Sequence, residues 1–322
     1  MEQAIREFPQ QLAWEPTIEH KEKLVRFGKY MLCGMGGSHL QGDMLQTAAP
    51  GFDLSVHQDY GLPAWPQSTL ENTLIIASSY SGNTEETLSA FQEALSKGYP
   101  AAVISTGGKL LALAQQHQIP YVQIPATGLQ PRAALGFAFK ALSHLVGRED
   151  LERQATRLAA PLAQEMALYE KQGKELANMF NGKVPVIYAS TRNYSIAYNW
   201  KIKFNETGKI PAFYNLLPEL NHNEMNGFDV SDSTRSLCEN FGFIFLKDAG
   251  DHPRIQKRME GTEQMLRQRG FSVATWETRQ EDALYKIFSS LLVADWASFH
   301  TAELYERDPE HVPMIEEFKK LI

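Results

Sequence analysis

The stretch "LIIASSYSGNTEETL", from Leu74 to Leu88, joins an apolar run to a helix-like acidic pattern. Five hydroxyl side chains surround a single glycine at the junction. A strand that turns directly into a helix leaves backbone N–H groups at the positive end of the helix dipole, where they can bind an anion. The stretch therefore predicts a buried strand, an anion-binding turn and a helix. The alternative is an ordinary helix N-cap formed by Asn83 or Thr84.

Short apolar runs alternate with longer helical patterns along the chain, which is typical of parallel strands joined by helices. The apolar runs are "YMLCGMGG", "TLIIASSYSG", "AAVISTGG", "YVQIP", "KVPVIYAS", "FGFIFLKD" and "FSVATWET". The helical patterns cover residues 38–47, 84–97 and 109–116, the segment "YSIAYNWKIKFNETG", residues 253–269 and the C-terminal region. The sequence therefore predicts an α/β fold with mostly parallel sheets flanked by helices.

A charged stretch rich in alanine and leucine, "EDLERQATRLAAPLAQEMALYEK", begins at Glu149. It contains Pro161, so we expect two helical pieces joined by a kink at that residue. Because the alternation of strands and helices resumes afterwards, we place a domain boundary here. The prediction is an N-terminal domain over residues 1–150, which carries the anion-binding turns, and a second α/β domain over residues 151–322.

Composition excludes several classes of function. The chain of 322 residues has a net charge of −7 and no long basic run, so we expect no nucleic-acid partner. The N-terminal residues "MEQAIREFPQQLAWEP" do not have the layout of a signal peptide, and no window reaches the ~20 apolar residues of a membrane span. These features predict a cytoplasmic protein without a membrane partner. Cys33 and Cys238 lack metal or redox spacing, so we expect buried, reduced thiols.

The glycine-rich stretch "CGMGGSHLQGD", from Cys33 to Asp43, invites comparison with the dinucleotide-binding fingerprint. His39 stands where the third glycine of that fingerprint would be, and no Walker motif occurs in the chain. We therefore expect no nucleotide cofactor. What remains is a second glycine and serine turn that opens a helix. Two such turns at successive strand ends favour phosphate binding, and a sugar phosphate fits neutral donors of this kind.

The motifs "GMGGSHLQGD", "SSYSGNTEETL" and "VISTGGKL" resemble the sugar isomerase (SIS) domain. More narrowly, "KIKFNETGKIPAFYNLLPELNHNEMNGF" and "PRAALGF" resemble the bifunctional phosphoglucose/phosphomannose isomerase family, and the likeness extends to "DPEHVPMIEEFKK". The resemblance implies two SIS-type, flavodoxin-like domains. It also implies a metal-independent aldose–ketose isomerase without a cofactor, which interconverts glucose 6-phosphate or mannose 6-phosphate with fructose 6-phosphate through an enediol.

Such a reaction needs a base that moves a proton between C1 and C2, a proton shuttle that opens the sugar ring, and a cation beside the enediolate. The resemblance implies that Glu206 is the base, His222 the ring-opening shuttle and Arg132 the cation. It further implies a homodimer in which His222 is contributed by the partner chain. The positions that match the family's phosphate-binding loops are Gly37, Ser38, Ser79, Ser81 and Thr84.

Each of these residues also has an ordinary interpretation. Glu206, close to Lys203 and Lys209, could be a solvated surface carboxylate, and His222 an exposed loop histidine. Arg132 could be a solvated arginine in a proline-led helix start. A metal site is the competing chemistry for the His222 segment, but no second histidine stands at zinc spacing.

Two other functions stay open at this point. One is an SIS enzyme that acts on an amino sugar phosphate. The other is a non-catalytic phosphosugar sensor, although the chain has no basic helix-turn-helix segment.

The sequence departs from the family near its C-terminus. The family uses a lysine from the C-terminal helical region close to the sugar ring, but "DWASFHTAELYERDP" contains none, and a rough alignment places Glu303 or a neighbour there. Lys286 lies upstream of this stretch, and Lys319 and Lys320 lie downstream. His300 is our candidate for the missing group, on the basis of its position alone.

Overall fold

The computed structural model describes residues 1–278 and 282–321. Its internal contacts divide the chain into two compact units, which we call the N-terminal unit (Arg6–Ala163) and the C-terminal unit (Met1–Ile5 and Gln164–Ile322). The units meet inside the helix Glu149–Gln164, whereas the sequence placed the boundary at the start of that helix. Each unit has its own sheet.

The N-terminal unit contains a five-stranded sheet in the order β2-β1-β3-β4-β5, and all of its strand pairs are parallel. The strands are β1 (Tyr30–Cys33), β2 (Leu54–His57), β3 (Leu74–Ser79), β4 (Ala101–Ser105) and β5 (Tyr121–Gln123). The helices from the start of the chain are α1 (Glu2–Arg6), α2 (Phe8–Ala13), α3 (Leu40–Ala48), α4 (Gln67–Leu70), α5 (Glu85–Lys97), α6 (Gly108–Gln116), α7 (Leu135–Leu145) and α8 (Glu149–Gln164). Apolar residues of β1, β3, β4, α5 and α6 form one core cluster.

The C-terminal unit contains a four-stranded parallel sheet in the order β7-β6-β8-β9. The strands are β6 (Val184–Ser190), β7 (Phe213–Leu217), β8 (Phe241–Asp248) and β9 (Ser272–Thr278). The helices are α9 (Met166–Met179), α10 (Tyr194–Glu206), α11 (Arg235–Cys238), α12 (Pro253–Gln268), α13 (Ala283–Leu304) and α14 (Pro313–Phe318). α13 packs against α9 at Gly173, where a Cβ atom would lie 2.4 Å from the Cβ atom of Trp296.

The sequence prediction missed two strands, β2 and β7. Both are edge strands with mostly half-exposed residues, so neither shows the continuous apolar run by which the central strands were recognised. β2 lies beside β1, and β7 lies beside β6. The next strands along the chain, β3 and β8, therefore lie on the other side of β1 and β6. This reversal of strand order creates a crevice at the carboxyl ends of the first and third strands, where open α/β sheets bind ligands.

The stretch forms two helical pieces, as expected, but the break between them does not fall at Pro161. α8 continues through Pro161 to Gln164, and the break before α9 falls at Glu165. Pro161 lies in the last turn of α8, where the helix ends a few residues later in any case.

The two cysteines are buried and free, as expected, and burial raises the pKa of the Cys33 thiol to about 12. Among the described residues, none of the helices is both long enough and apolar enough to cross a membrane.

Candidate active site

The turn after β1 forms one wall of the crevice in the N-terminal unit. Gly36–Ser38 adopts a single 3₁₀ turn before α3 begins. A Cβ atom at Gly37 would lie 2.8 Å from the backbone nitrogen of Arg132 and 2.8 Å from the carbonyl carbon of Pro131. Only glycine allows this close approach of two backbones. The structure therefore brings two predicted site positions, Gly37 and Arg132, into contact.

Arg132 is almost fully buried, with 1% of its surface exposed. It lies in the 3₁₀ turn Pro131–Ala133, just before α7. The side chain of Gln11 fixes this segment, because its Nε2 donates to the carbonyl of Ala133 (2.8 Å) and its Oε1 accepts from the N–H of Gly136 (3.1 Å). The alternative interpretation of Arg132 as a solvated arginine is therefore wrong.

The turns after β1 and β3 are joined by Ser38. Its hydroxyl accepts a hydrogen bond from the backbone N–H of Tyr80 at 2.9 Å, and the serine is 8% exposed. The two predicted phosphate loops thus meet at the carboxyl ends of adjacent strands, as the strand order requires.

The turn after β3 is shaped by Ser79 and closed by Gly82. The Ser79 hydroxyl accepts from the N–H of Gly82 (3.0 Å) and lies 2.8 Å from the Thr84 hydroxyl. Thr84 occupies the N-cap position of α5, but its side chain makes no capping hydrogen bond to that helix. Ser81 is exposed, and its hydroxyl accepts from the N–H of Asn83 at 3.3 Å. The hydroxyls therefore organise the turn rather than cap the helix.

Gly82 brings a third turn to the same place. Its φ is +70°, and a Cβ atom there would lie 1.8 Å from the carbonyl oxygen of Gly107, in the turn after β4. The backbone N–H of Lys109 also donates to the side chain of Asn83 at 3.1 Å. Glycine is required at position 82 both for its conformation and for this approach.

A buried histidine and aspartate follow the first loop. His39 and Asp43 are 0% and 4% exposed, and the His39 Nδ1 lies 3.1 Å from the Asp43 Oδ2. Burial lowers the pKa of His39 to about 4 and raises the pKa of Asp43 to about 7. Although the distance is that of an ion pair, these pKa values mean that the two groups are not charged together. We therefore describe the contact as a polar pair with at most one charged member.

In the C-terminal unit, Glu206 is the last residue of α10 and is half-buried. Nearby Lys203 is not a surface lysine, because it is 1% exposed and forms a 2.6 Å ion pair with Asp295 of α13. Lys209 donates from its Nζ to the backbone carbonyl of Glu206 and to that of His311. Glu206 therefore stands at a helix end that is fixed on both sides by lysines.

His222 is exposed at the end of the 3₁₀ turn Glu219–His222. It borders a groove of about 550 Å³ that is also lined by Thr262 and Leu266 of α12 and by Arg269, which follows that helix. The neighbouring Asn221 is tied to that helix, since its Nδ2 donates to the Thr262 hydroxyl at 2.8 Å.

Glu224 anchors the other side of the His222 segment. The Tyr188 hydroxyl of β6 donates to it at 2.6 Å, and the Asn215 side chain of β7 donates to its second oxygen. Burial, together with the Glu224 carboxylate, raises the pKa of Tyr188. Glu224 is thus engaged in hydrogen bonds that hold the loop. Over residues 1–278 and 282–321, no three His, Cys, Asp or Glu side chains lie close enough together to hold a metal ion.

Sequence reasoning missed these supports, because Tyr188, Asn215 and Thr262 carry no motif. Their role follows only from the fold, which brings residues from β6, β7 and α12 to one segment.

The candidates for the missing C-terminal lysine occupy different surroundings. The His300 ring stacks on Trp296 at a centroid distance of 5.6 Å, and its Nδ1 lies 2.6 Å from the Glu303 carboxylate. Within the described part of the chain, its buried Nε2 has no hydrogen-bond partner. Lys286 is buried in a 2.6 Å ion pair with Asp248. Lys319 and Lys320 are exposed beyond α14.

The fold and these turns define the class of protein. Two doubly wound parallel sheets with hydroxyl-lined turns at a strand-order reversal are the architecture of SIS-domain proteins. The model of the bacterial phospho-glucose isomerase C-terminal SIS domain matches residues 169–322. The fold is also shared with the tagatose-6-phosphate ketose/aldose isomerase of Escherichia coli, with a TM-score of 0.69 at 16% identity over 96% of this chain and 93% of the other.

Sequence similarity is more specific. The chain is 34% identical to a bifunctional phosphoglucose/phosphomannose isomerase of Aquifex aeolicus, over 97% of this chain and 95% of the relative. It is 33% identical to a protein of the same name from Caldicellulosiruptor bescii, over 99% and 98% of the two chains. The chain belongs to the bifunctional phosphoglucose/phosphomannose isomerase family.

Proposed function

We propose that this protein is a phosphosugar isomerase that interconverts glucose 6-phosphate or mannose 6-phosphate with fructose 6-phosphate, through an enediol and without a metal ion. The observation that carries the proposal is the close approach of the Gly37 and Arg132 backbones, which supports a role for the buried Arg132 next to the turn after β1. Family membership supports the same reaction class.

The phosphate of the sugar binds at the turns that follow β1 and β3. Ser38 and Ser79 set the shape of these turns, and the N-terminus of α5 supplies a favourable dipole. The exposed hydroxyl of Ser81, the hydroxyl of Thr84 and the backbone of Gly37 are the proposed donors to the phosphate oxygens. Neutral donors suit a dianion that must be released after turnover.

Glu206 moves the proton. Its carboxylate removes the proton from C2 of the open-chain aldose and returns it to C1. A proton also passes from the C2 hydroxyl to the C1 oxygen, so that the aldehyde becomes a hydroxyl and the C2 hydroxyl becomes the ketose carbonyl. Arg132 stabilises the negative charge that develops on the enediolate oxygens. A fixed base is essential, because proton transfer requires hydrogen-bond distance to the carbon-bound proton.

His222 opens the ring by moving a proton between the ring oxygen and the C1 hydroxyl. His222 is exposed, and hydrogen bonds of Asn221 and Glu224 hold its segment in place. These features support a role of His222 in the active site of a second molecule of this chain. We therefore propose a homodimer in which each His222 serves the partner's site. The cytoplasmic location stays a prediction of the sequence, as does the absence of nucleic-acid and membrane partners.

The test is the rate of fructose 6-phosphate conversion by Glu206→Gln in the presence of EDTA. Loss of the base should lower kcat by about 10²–10⁴ while the variant still binds the substrate. Glu175→Gln, at an exposed glutamate of α9, is the matched control and should retain full turnover. Wild-type kcat in Glu206→Gln, or a rate abolished by EDTA, would overturn the proposed mechanism.

His300 is tested in the same assay. If its unpartnered Nε2 takes the place of the family's lysine, His300→Ala should lower kcat more than it raises KM. Unchanged turnover would remove His300 from the site.

A further inference from the structure

The backbone immediately after Glu206 is unusual. α10 ends at Glu206, and the N–H groups of Thr207 and Gly208 both donate to the carbonyl of Lys203, at 2.9 and 3.0 Å. Lys209 then adopts a left-handed conformation with φ +59°. Residues other than glycine, asparagine and aspartate rarely adopt this region, so the conformation of Lys209 is uncommon.

The Lys209 ammonium joins two parts of the C-terminal unit. One hydrogen bond goes to the carbonyl of Glu206, at the negative end of the α10 dipole, where a cation is favourable. The other goes to the carbonyl of His311, which is distant in sequence and belongs to the segment that follows α13. A single charged group therefore links the helix end that carries Glu206 to the C-terminal segment.

The His311 carbonyl belongs to a turn over residues 308–311 that is held by hydrogen bonds of its own. The Asp308 carboxylate accepts from the N–H of Glu310 at 2.8 Å and lies 2.5 Å from the His311 Nδ1. The Glu310 side chain in turn pairs with the N-terminal ammonium of Met1. The His311 carbonyl is thus held in place by contacts at both ends of the turn, so it can act as a fixed point for Lys209.

We propose that Lys209 is a positioning residue for Glu206, and that it acts by fastening the turn Asp308–His311 to the end of α10. This inference rests on the proposed role of Glu206 as the base. A carboxylate that must reach a carbon-bound proton loses rate steeply when it is displaced, since a shift of about 1 Å can reduce the rate about 10²-fold. A helix end with one open side would allow such a shift. The Lys209 bridge closes that side through its hydrogen bonds to the carbonyls of Glu206 and His311.

The experiment compares Lys209→Met, Lys209→Arg and Lys209→Gly in the full-length protein. Lys209→Met should lower kcat for fructose 6-phosphate by about tenfold or more with KM unchanged, because the base moves but the phosphate loops do not. Lys209→Arg keeps a cation of similar reach and should restore most of the rate. Lys209→Gly relieves the left-handed backbone but removes the ammonium, so it should fold well and still turn over slowly. Lys201→Met, at a half-buried lysine of α10 that lies over the Tyr198 ring, is the matched control.

The link to the C-terminal turn is tested with Asp308→Ala. This variant should lower kcat by itself, and the double variant with Lys209→Met should be no slower than Lys209→Met alone. Wild-type kcat in both Lys209→Met and Lys209→Gly would overturn the inference, as would independent, multiplicative effects of the two substitutions. If Glu206→Gln retains wild-type turnover, the proposed function itself fails. If Glu206→Gln is inactive and the Lys209 variants are not, only the role of Lys209 fails.

Discussion

His39 and Asp43 are two buried titratable side chains that directly follow the turn after β1. Burial raises the pKa of Asp43 above its unfolded value, so its contribution to stability is present at low pH and is lost as the pH rises toward about 7. Burial lowers the pKa of His39, so its contribution runs the opposite way, and stability increases as the pH rises from about 4 to 6.5. The two contributions oppose each other over most of this range.

Asp43→Asn separates these contributions, because it removes the ionisation of Asp43 and keeps a neutral polar side chain. We expect its free energy of unfolding, relative to the wild type, to increase as the pH is raised from 4 to 7, by at most about 1.4 kcal/mol per pH unit. Urea denaturation at several pH values measures the difference. Asp53→Asn, at an exposed aspartate of the same unit, is the control. A pH-independent difference for Asp43→Asn would show that the carboxyl is already ionised at low pH.

At the scale of elements, the carboxyl ends of β6 and β8 correspond in topology to those of β1 and β3. In the C-terminal unit, charged side chains of the protein itself occupy this position. Lys286 of α13 pairs with Asp248 at 2.6 Å, and Asn193 also donates to Asp248. Ser190 donates to Asp251 at 2.7 Å. Burial tends to raise the pKa of Asp248, but Lys286, the Gly250 N–H and Asn193 together lower it. This network occupies the second crevice with its own ammonium and carboxylates.

Lys286→Met should therefore be strongly destabilising, since it leaves the Asp248 carboxylate buried without its ammonium. We expect a loss of about 3–5 kcal/mol in the free energy of unfolding, measured by urea denaturation. Adding Asp248→Asn to this variant should recover part of the loss. Lys171→Met removes an exposed lysine that pairs with Glu175 at 3.9 Å, and it should change stability by less than about 1 kcal/mol. Equal effects of the two lysine substitutions would contradict the structural role of Lys286.

The elements also show what the sequence could predict. Strands buried on both faces were recognised because they contain a continuous run of apolar or small residues, as in all of β3 and in residues 241–246 of β8. The edge strands β2 and β7 were missed because solvent on one side permits polar residues. The burial of Arg132 could not be predicted locally, since it depends on a contact with Gly37 from another turn. The hydrogen bond from Tyr188 to Glu224, which holds the segment that carries His222, likewise depends on residues that only the fold brings together.

At the scale of the whole molecule, the two units repeat one topology. In each unit, the second strand of the chain order (β2 or β7) lies on one side of the first (β1 or β6). The third strand (β3 or β8) lies on the other side, and the fourth (β4 or β9) lies beside the third. The two units differ at the carboxyl edge of the sheet. One has hydroxyl-lined turns and the other holds a buried charge network, which supports the proposal that phosphate binds in the N-terminal unit.

The measurement to make first is NMR of the sugar protons while the purified protein acts on fructose 6-phosphate in D₂O with EDTA. Transfer through an enediol exposes the proton on Glu206 to solvent, so we predict glucose 6-phosphate or mannose 6-phosphate with deuterium at C2, formed at a rate that EDTA does not change. The identity of the product also gives the preferred epimer. Product whose C2 carries only protium transferred from C1 of fructose 6-phosphate would contradict the predicted exchange with solvent, and turnover that requires an added metal ion would contradict the proposed mechanism.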